Sequence, residues 1–172
     1  MTSDNTLAPA ANPVPLGFRQ HDHSVCVSRT LAAAETYCAE RGLRLTPLRR
    51  KVLELLLREH RALGAYEILD LLREAGFGSQ PPVAYRPLDF LAVHGFVHRI
   101  ERLNAFVACA HPGETHSPAF LICRYCDTVA EAHWISAKEA LGAAARVAGF
   151  QIERAVVEVE GICADCANGT RK

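Results

Sequence analysis

Two Cys-x-x-Cys pairs, Cys123/Cys126 and Cys163/Cys166, constrain this chain more than any other feature in it. Each pair reverses the backbone so that both sulfurs face one point, and four thiolates favour zinc over hard ions. The stretch between the pairs is longer than in a simple zinc ribbon. A single structural zinc at these four cysteines therefore ties together elements that are distant in sequence. Seven cysteines is an odd count, and paired spacing in a chain that opens with no basic-apolar leader favours metal over disulfide.

With 172 residues, 49% of them hydrophobic, the chain has enough apolar material for one large or two small packed domains. No run approaches the roughly 20 apolar residues of a membrane helix, so the expectation is a soluble, cytoplasmic protein with no membrane partner. Residues 1–20 are rich in Ala, Pro and Asn, and the first 27 residues read as a disordered leader. His21, His23 and Cys26 are of metal-ligand type, a third site that forms only if something holds them together. The net charge is zero but unevenly spread: residues 29–105 carry twelve Lys/Arg against nine Asp/Glu. Arg41, Arg44, Arg49, Arg50 and Lys51 cluster there, which fits a nucleic-acid surface and equally a solvated face.

From Ser28 to about Arg41, Leu31, Ala34 and Cys38 mark an amphipathic helix that Gly42 stops, with Cys38 in the core. Thr46-Pro47 starts the next, since Thr46 can accept from free amides and Pro47 needs no donor; Leu48, Val52, Leu55 and Leu56 form its stripe. A third runs from Tyr66 to Glu74. Asp70 and Arg73, three apart on its outer side, read as a surface pair or as a contact between protein dimers. Pro82 can begin a fourth helix and Gly95 end it, with Pro87 expected to kink it. The strand-like Phe96–Glu101 and Ala105–Cys109 then complete a winged helix-turn-helix over residues 28–105. Tyr85 and Arg86 lie in the first turn of the last helix, where such folds meet base edges.

Residues 106–172 read as a small second α+β domain. Phe120–Cys123 and Val129–Ala132 flank the first zinc knuckle. Ser136 and Glu139 open an Ala-rich helix to Ala148, and an alternating strand runs from Phe150 to Val159. An exposed sheet edge there would pair with a second copy, giving a homodimer. Once the four cysteines are set aside, His98, Cys109, His116 and Glu131 still offer two imidazoles, a thiolate and a carboxylate, enough for a closed tetrahedral zinc. His98 belongs to the wing, Cys109 to the junction, and His116 and Glu131 to the second domain. A metal held by all four would fix the angle between the domains. His111 is a rival to His116.

Leu45-Thr46-Pro47, Pro81-Pro82-Val83-Ala84-Tyr85-Arg86-Pro87-Leu88-Asp89-Phe90-Leu91, Gly95-Phe96-Val97-His98 and the two Cys-x-x-Cys pairs together resemble the ferric uptake regulator family, most nearly its zinc-sensing branch. The likeness spans roughly residues 30–167. It implies a dimeric winged-helix repressor of zinc-uptake genes whose affinity for double-stranded DNA rises with regulatory metal. By resemblance, Cys123, Cys126, Cys163 and Cys166 match the structural zinc site, and His98, Cys109, His116 and Glu131 the regulatory one, giving two zinc ions per chain. Tyr66, Tyr85 and Arg86 match DNA-contacting positions on a palindromic operator, and Asp70 and Arg73 a pair that bridges two dimers on it. The His-x-His run of iron-sensing members is absent here. That absence and the thiolate of Cys109 favour zinc over ferrous iron. A zinc hydrolase is the rival class, but a catalytic zinc keeps an open position that Cys109 closes, and the sequence lacks the deaminase signature.

Overall fold

A computed structural model describes residues 16–18, 23–58, 61–112, 116, 118–133, 135–153 and 155–170. Four helices come first: α1 (His23–Glu40), α2 (Pro47–Leu57), α3 (Ala65–Glu74) and α4 (Pro82–Val93). Three short antiparallel strands, β1 (Leu63–Gly64), β2 (Val97–Ile100) and β3 (Ala105–Ala108), are ordered β1-β3-β2 and form the wing. A second sheet follows, ordered β5-β4-β6, from β4 (Pro118–Cys123), β5 (Val129–His133) and β6 (Val157–Gly161). β4 and β5 are antiparallel; α5 (Ile135–Val147) carries the chain across to β6, which lies parallel to β4, and the short α6 (Ala164–Ala167) ends the fold. The architecture is α+β, a winged helix followed by a small mixed sheet, as the sequence pattern implies.

Local chemistry explains most of the element ends. Thr46 has extended backbone angles and its hydroxyl accepts from the Arg49 amide at 3.4 Å, so α2 starts where the Thr-Pro pair places it. At the end of α4, Gly95 takes a φ of 71°, and the Phe96 amide reaches back to the Leu91 carbonyl at 2.8 Å, turning the chain into β2. The apolar faces of the helices meet in one core, in which Leu53, Leu56, Ile68, Leu72, Leu88, Leu91 and Phe96 are all fully enclosed.

The structure corrects four expectations. α4 runs unbroken from Pro82 to Val93 through Pro87, whose buried ring contributes apolar surface in exchange for the missing amide. α1 begins at His23, so the last residues of the expected leader are helical. A 3-10 turn at Leu16–Phe18 also packs on β5, close enough that a Cβ on Gly17 would sit 2.6 Å from the Val129 carbonyl oxygen. β6 is confined to Val157–Gly161 instead of starting at Phe150. α5 starts at Ile135, one residue ahead of the anticipated Ser136 cap. His21 and the side chains of His23 and Cys26, the expected third metal site, lie outside the described residues. Among the described residues, no helix is long and apolar enough to cross a membrane.

The two sheets are joined by contacts that sequence patterning does not reveal. Ile100, Ala105 and Val107 of the wing share one buried apolar cluster with Phe120, Ile122 and Val129 of the second sheet. At the tip of the wing, the Glu101 and Arg102 amides donate to the Glu158 carboxylate on β6 at 2.6 and 2.9 Å, and Arg102 also pairs with Glu160. Hydrogen bonds to a charged acceptor contribute roughly 1.5 kcal/mol or more. In Glu158→Ala, hydrogen–deuterium exchange at the Glu101 and Arg102 amides should therefore accelerate by about tenfold while α2 keeps its protection. Unchanged exchange would show that the carboxylate contributes nothing to holding the wing.

Candidate metal centres and nucleic-acid surface

The four-cysteine cluster is built by two backbone turns. After β4, Asp127 takes a φ of 54° and its amide donates to the Cys123 carbonyl at 3.0 Å, folding Cys123 and Cys126 onto the same side. Cys163 precedes α6 in extended geometry, and one turn of helix places Cys166 beside it. The Arg124 amide donates to the Gly161 carbonyl at 3.0 Å, so the parallel pairing of β4 with β6 brings the two turns together. The sulfurs of all four cysteines lie within 4.8 Å of one another, with Cys123 and Cys163 buried.

Electrostatics of the cluster favour a metal. Burial pushes the Cys123 thiol up, but backbone amides of Cys163, Tyr125 and Cys126 more than offset this and bring it down to about 6. Loss of water raises both Cys163 and Cys166; neighbouring sulfurs add to this at Cys166, while at Cys163 the Cys166 amide and thiol oppose it and Cys123 and Cys126 add to it. Four sulfurs sharing one small space cannot all ionise unaided, and a dication removes that conflict.

The second cluster straddles the joint between the sheets. β2 supplies His98 and β5 supplies Glu131; Cys109 follows β3, its amide bonded to the Phe96 carbonyl at 2.9 Å; His116 lies in the loop before β4. Their donor atoms fall within 4.8 Å of one another. Glu131 is central. One carboxylate oxygen lies 2.6 Å from His116 Nε2, and the other accepts from the Ala110 amide at 2.9 Å and lies 3.8 Å from His98 Nε2. Cys109 Sγ is 3.5 Å from His116 Nε2. Burial lowers the affinity of His98 for a proton, Glu131 opposes this and His116 adds to it, so the ring is held towards its neutral, ligating form. His98 Nε2 is itself buried without a hydrogen-bond partner, as a nitrogen reserved for a metal would be. Soft thiolate, two imidazoles and a carboxylate in a closed set of four fit zinc and leave no open coordination position.

His111 is not among the four converging donors, although its Nδ1 approaches the same Glu131 oxygen that faces His116, at 3.8 Å. The resemblance places His116 in the set with His111 as its rival, and the fold brings His116 to the other three donors. The Glu158 contact to the wing had no sequence signal, because an acidic residue on an alternating strand reads as an ordinary solvent-facing side chain.

The residues expected to meet DNA are displayed on two helices. Tyr66, in the first turn of α3, is 67% exposed, and Tyr85, near the start of α4, is 41% exposed with Arg86 exposed beside it. Asp70 and Arg73 pair with each other on α3 at 3.1 Å, both exposed. Much of the basic cluster is paired with groups of the protein itself, at its surface. Arg49 stacks 3.5 Å over the Phe90 ring and donates to the Arg44 carbonyl, Arg50 pairs with Glu35, Arg41 lies over Tyr37, and Lys51 pairs with Glu54. It ties α1 and α2 to their neighbours more than it forms a free phosphate-binding stripe.

Residues 40–160 match the model of the ferric uptake regulator family, which covers more than half of the chain. The chain belongs to the ferric uptake regulator family. Within it, the chain is 42% identical over 137 residues to the zinc uptake regulation protein of Escherichia coli (strain K12), a match covering 79% of this chain and 80% of the relative. A solved zinc uptake regulator complexed with zinc and DNA superposes with a TM-score of 0.80 at 40% identity, covering 84% of this chain and 97% of that one. The crystal structure of holo XcZur gives 0.73 at 44% identity, covering 86% and 99%.

The four-cysteine geometry sets a first metal prediction. Cys163→Ser should purify with one zinc equivalent fewer per chain by elemental analysis and melt well below the wild type, because structural zinc energy is folding energy. Normal zinc content in that variant would remove Cys163 from the ligand set.

Proposed function

We propose that this chain is a zinc-responsive, dimeric DNA-binding transcriptional regulator that represses zinc-uptake genes when loaded. The observation that carries the proposal is the convergence of His98, Cys109, His116 and Glu131 from two different sheets on one point. Cys123, Cys126, Cys163 and Cys166 hold a structural zinc and the second cluster a regulatory one, two per chain. The DNA-reading unit spans residues 28–105, with α1 extending it back to His23, and the dimerisation and metal-binding unit spans residues 106–172.

Zinc in the second site supplies coordinate bonds that cross from the wing to the second sheet. The side chains do the rest. His98 commits the wing, because β2 is hydrogen-bonded to β3 along its whole length and cannot move without it. Glu131 commits β5, and its bond from the Ala110 amide fixes where the Cys109 thiol must lie. Phe120 sits against the His98 ring, 5.4 Å between centroids, and keeps water from that side of the cluster. Closing this set selects one angle between reading helix and dimer sheet, and so one spacing between two copies of α4. Arg86 and Tyr85 then meet base edges and Tyr66 a neighbouring backbone phosphate, in successive major grooves of a palindromic operator.

Exposed apolar side chains support the dimer. Val147 is 92% exposed and Phe150 67%, with Leu141, Val156, Val159 and Ile162 also open, a concentration that a solitary soluble sheet rarely presents. Asp70 and Arg73, paired within one helix, can exchange partners with the same helix of an adjacent dimer when two dimers share an operator.

Linkage makes the coupling reciprocal, typically ~5–150-fold between effector and ligand. Operator binding followed by fluorescence anisotropy should tighten on zinc titration in the wild type, while Cys109→Ser should lose that response and still elute as a dimer. A Cys109→Ser protein that binds operator as the wild type does at every zinc concentration would refute the hinge mechanism. Arg86→Ala should weaken specific binding roughly 5–150-fold at saturating zinc, the worth of one bidentate base contact.

A further inference from the structure

One rung of the second sheet meets the wing at both of its ends. Glu131 of β5 stands opposite Phe120 of β4, and Phe120 stands opposite Glu158 of β6. Residues in register across a sheet share a face, so these three side chains form a row about 10 Å long, two strand spacings. Glu131 faces His98 in the hinge cluster, and Phe120 sits against the His98 ring. At the far end of the row, Glu158 accepts from the Glu101 and Arg102 amides at 2.6 and 2.9 Å. His98 lies on β2, and Glu101 and Arg102 follow directly after it. One row of one sheet therefore grips one short segment of the wing at two points.

The wing tip is shaped for that grip. Asn104 has a φ of 46°, its amide returns to the Glu101 carbonyl at 3.2 Å, and its side chain accepts from Arg99 at 2.8 Å. Leu103 rests on the apolar cluster that the two sheets share. With the turn closed in this way, two successive amides converge on one carboxylate, the arrangement in which consecutive backbone N–H groups bind an anion.

We propose that Glu158 is a metal-independent latch that sets the zinc concentration at which the hinge site fills. The inference rests on the hinge cluster being the regulatory zinc site. Before loading, the four hinge donors converge only while the wing is docked, and the Glu158 bonds hold it docked with no metal. A ligand that binds one conformation has an apparent dissociation constant raised by the inverse of that conformation's population. Losing the latch lowers the docked population and weakens zinc binding to match, although no ligand has been touched. Once zinc is bound, its own bonds from His98 to Glu131 hold the same angle and the latch is redundant. Glu158 is thus a positioning residue that acts on sensitivity and not on the final affinity for operator. The neighbouring Arg102–Glu160 pair differs in kind. Its side chains are 54% and 35% exposed, so water screens their attraction and the pair adds little to docking.

The test uses the full chain with zinc retained at the four cysteines and a fluorescent zinc chelator competing for the second equivalent. Glu158→Ala should bind that equivalent about tenfold more weakly, one decade being about 1.4 kcal/mol. Its operator affinity at saturating zinc, read by fluorescence anisotropy, should match the wild type. Glu158→Gln keeps an acceptor of the same size and should fall between the wild type and Glu158→Ala. Glu160→Ala removes the same charge from the same strand but leaves both amide bonds, so its zinc affinity should match the wild type. Wild-type zinc affinity in both Glu158 variants would overturn the proposal. An equal loss in Glu160→Ala would overturn it too, because charge and not docking would then be the cause. So would operator affinity that stays depressed in Glu158→Ala at saturating zinc, which would make Glu158 a structural support of the reading unit. If Cys109→Ser takes up the second zinc as the wild type does, the hinge reading itself fails, an outcome distinct from any result at Glu158.

Discussion

A carboxylate enclosed at the joint between two sheets governs the rest of the molecule. Glu131 is 7% exposed, and a buried anion is costly unless cations or well-aimed donors surround it. The fold provides one amide, from Ala110, to one oxygen, sets His116 against the other, and brings His98 and the Cys109 thiol close by. That arrangement is a poor way to bury a charge for stability alone, because one amide hydrogen bond offsets only part of the cost. It is a good way to build a place where a divalent cation is the missing partner. Glu131 pairs with Phe120 on β4, the strand that ends in Cys123, so the two clusters share one support.

The sheets do not depend on that site to find each other. The Ile100, Val107, Phe120, Ile122 and Val129 cluster removes apolar area from water, and the Glu158 carboxylate holds the two wing-tip amides. The wing is therefore already near the second sheet, and the regulatory site needs only to choose among a narrow set of angles. This agrees with a coupling of a few kcal/mol between effector and ligand, and a wholly free hinge would demand far more from four ligands.

How much of this was legible beforehand follows from the range of each interaction. α2 begins at Pro47 because Thr46 caps it, an arrangement contained within four residues and so readable from them. The Cys-x-x-Cys turns are local in the same sense. The hinge donors could be named by type, but that His116 converges and His111 stands at the rim depends on where a loop meets Glu131, some fifteen to twenty residues away on another element. Pro87 misled because its local effect, a lost amide, is outweighed by burying its ring in the core, a tertiary matter. The leader misled for the same reason: Ala, Pro and Asn composition suggests disorder, whereas Gly17 fits against β5 because it lacks a side chain. Phe150 to Val156 read as strand from the alternation continued by Val157 and Val159, yet only from Val157 does β4 offer a partner.

Charge decides whether loading acts through electrostatics or through shape. The chain has zero net charge, and Arg41, Arg49, Arg50 and Lys51 are engaged with side chains or carbonyls of the protein itself. A dication bound by one thiolate and one carboxylate forms a neutral set, so filling the hinge site cancels the Glu131 charge and changes the local charge by about one unit once the Cys109 proton has left. A single unit of charge at the joint is small beside the several phosphates that a DNA-bound protein neutralises. On the proposed function, the larger lever is where Tyr85 and Arg86 are held relative to their copies in the second subunit. A misplacement of a few ångströms between two reading helices costs both sets of base contacts at once, whereas either helix alone keeps its own. Geometry of that kind is cooperative by construction, and it explains why the ligands are drawn from both sheets when four donors on one of them would have bound zinc equally well.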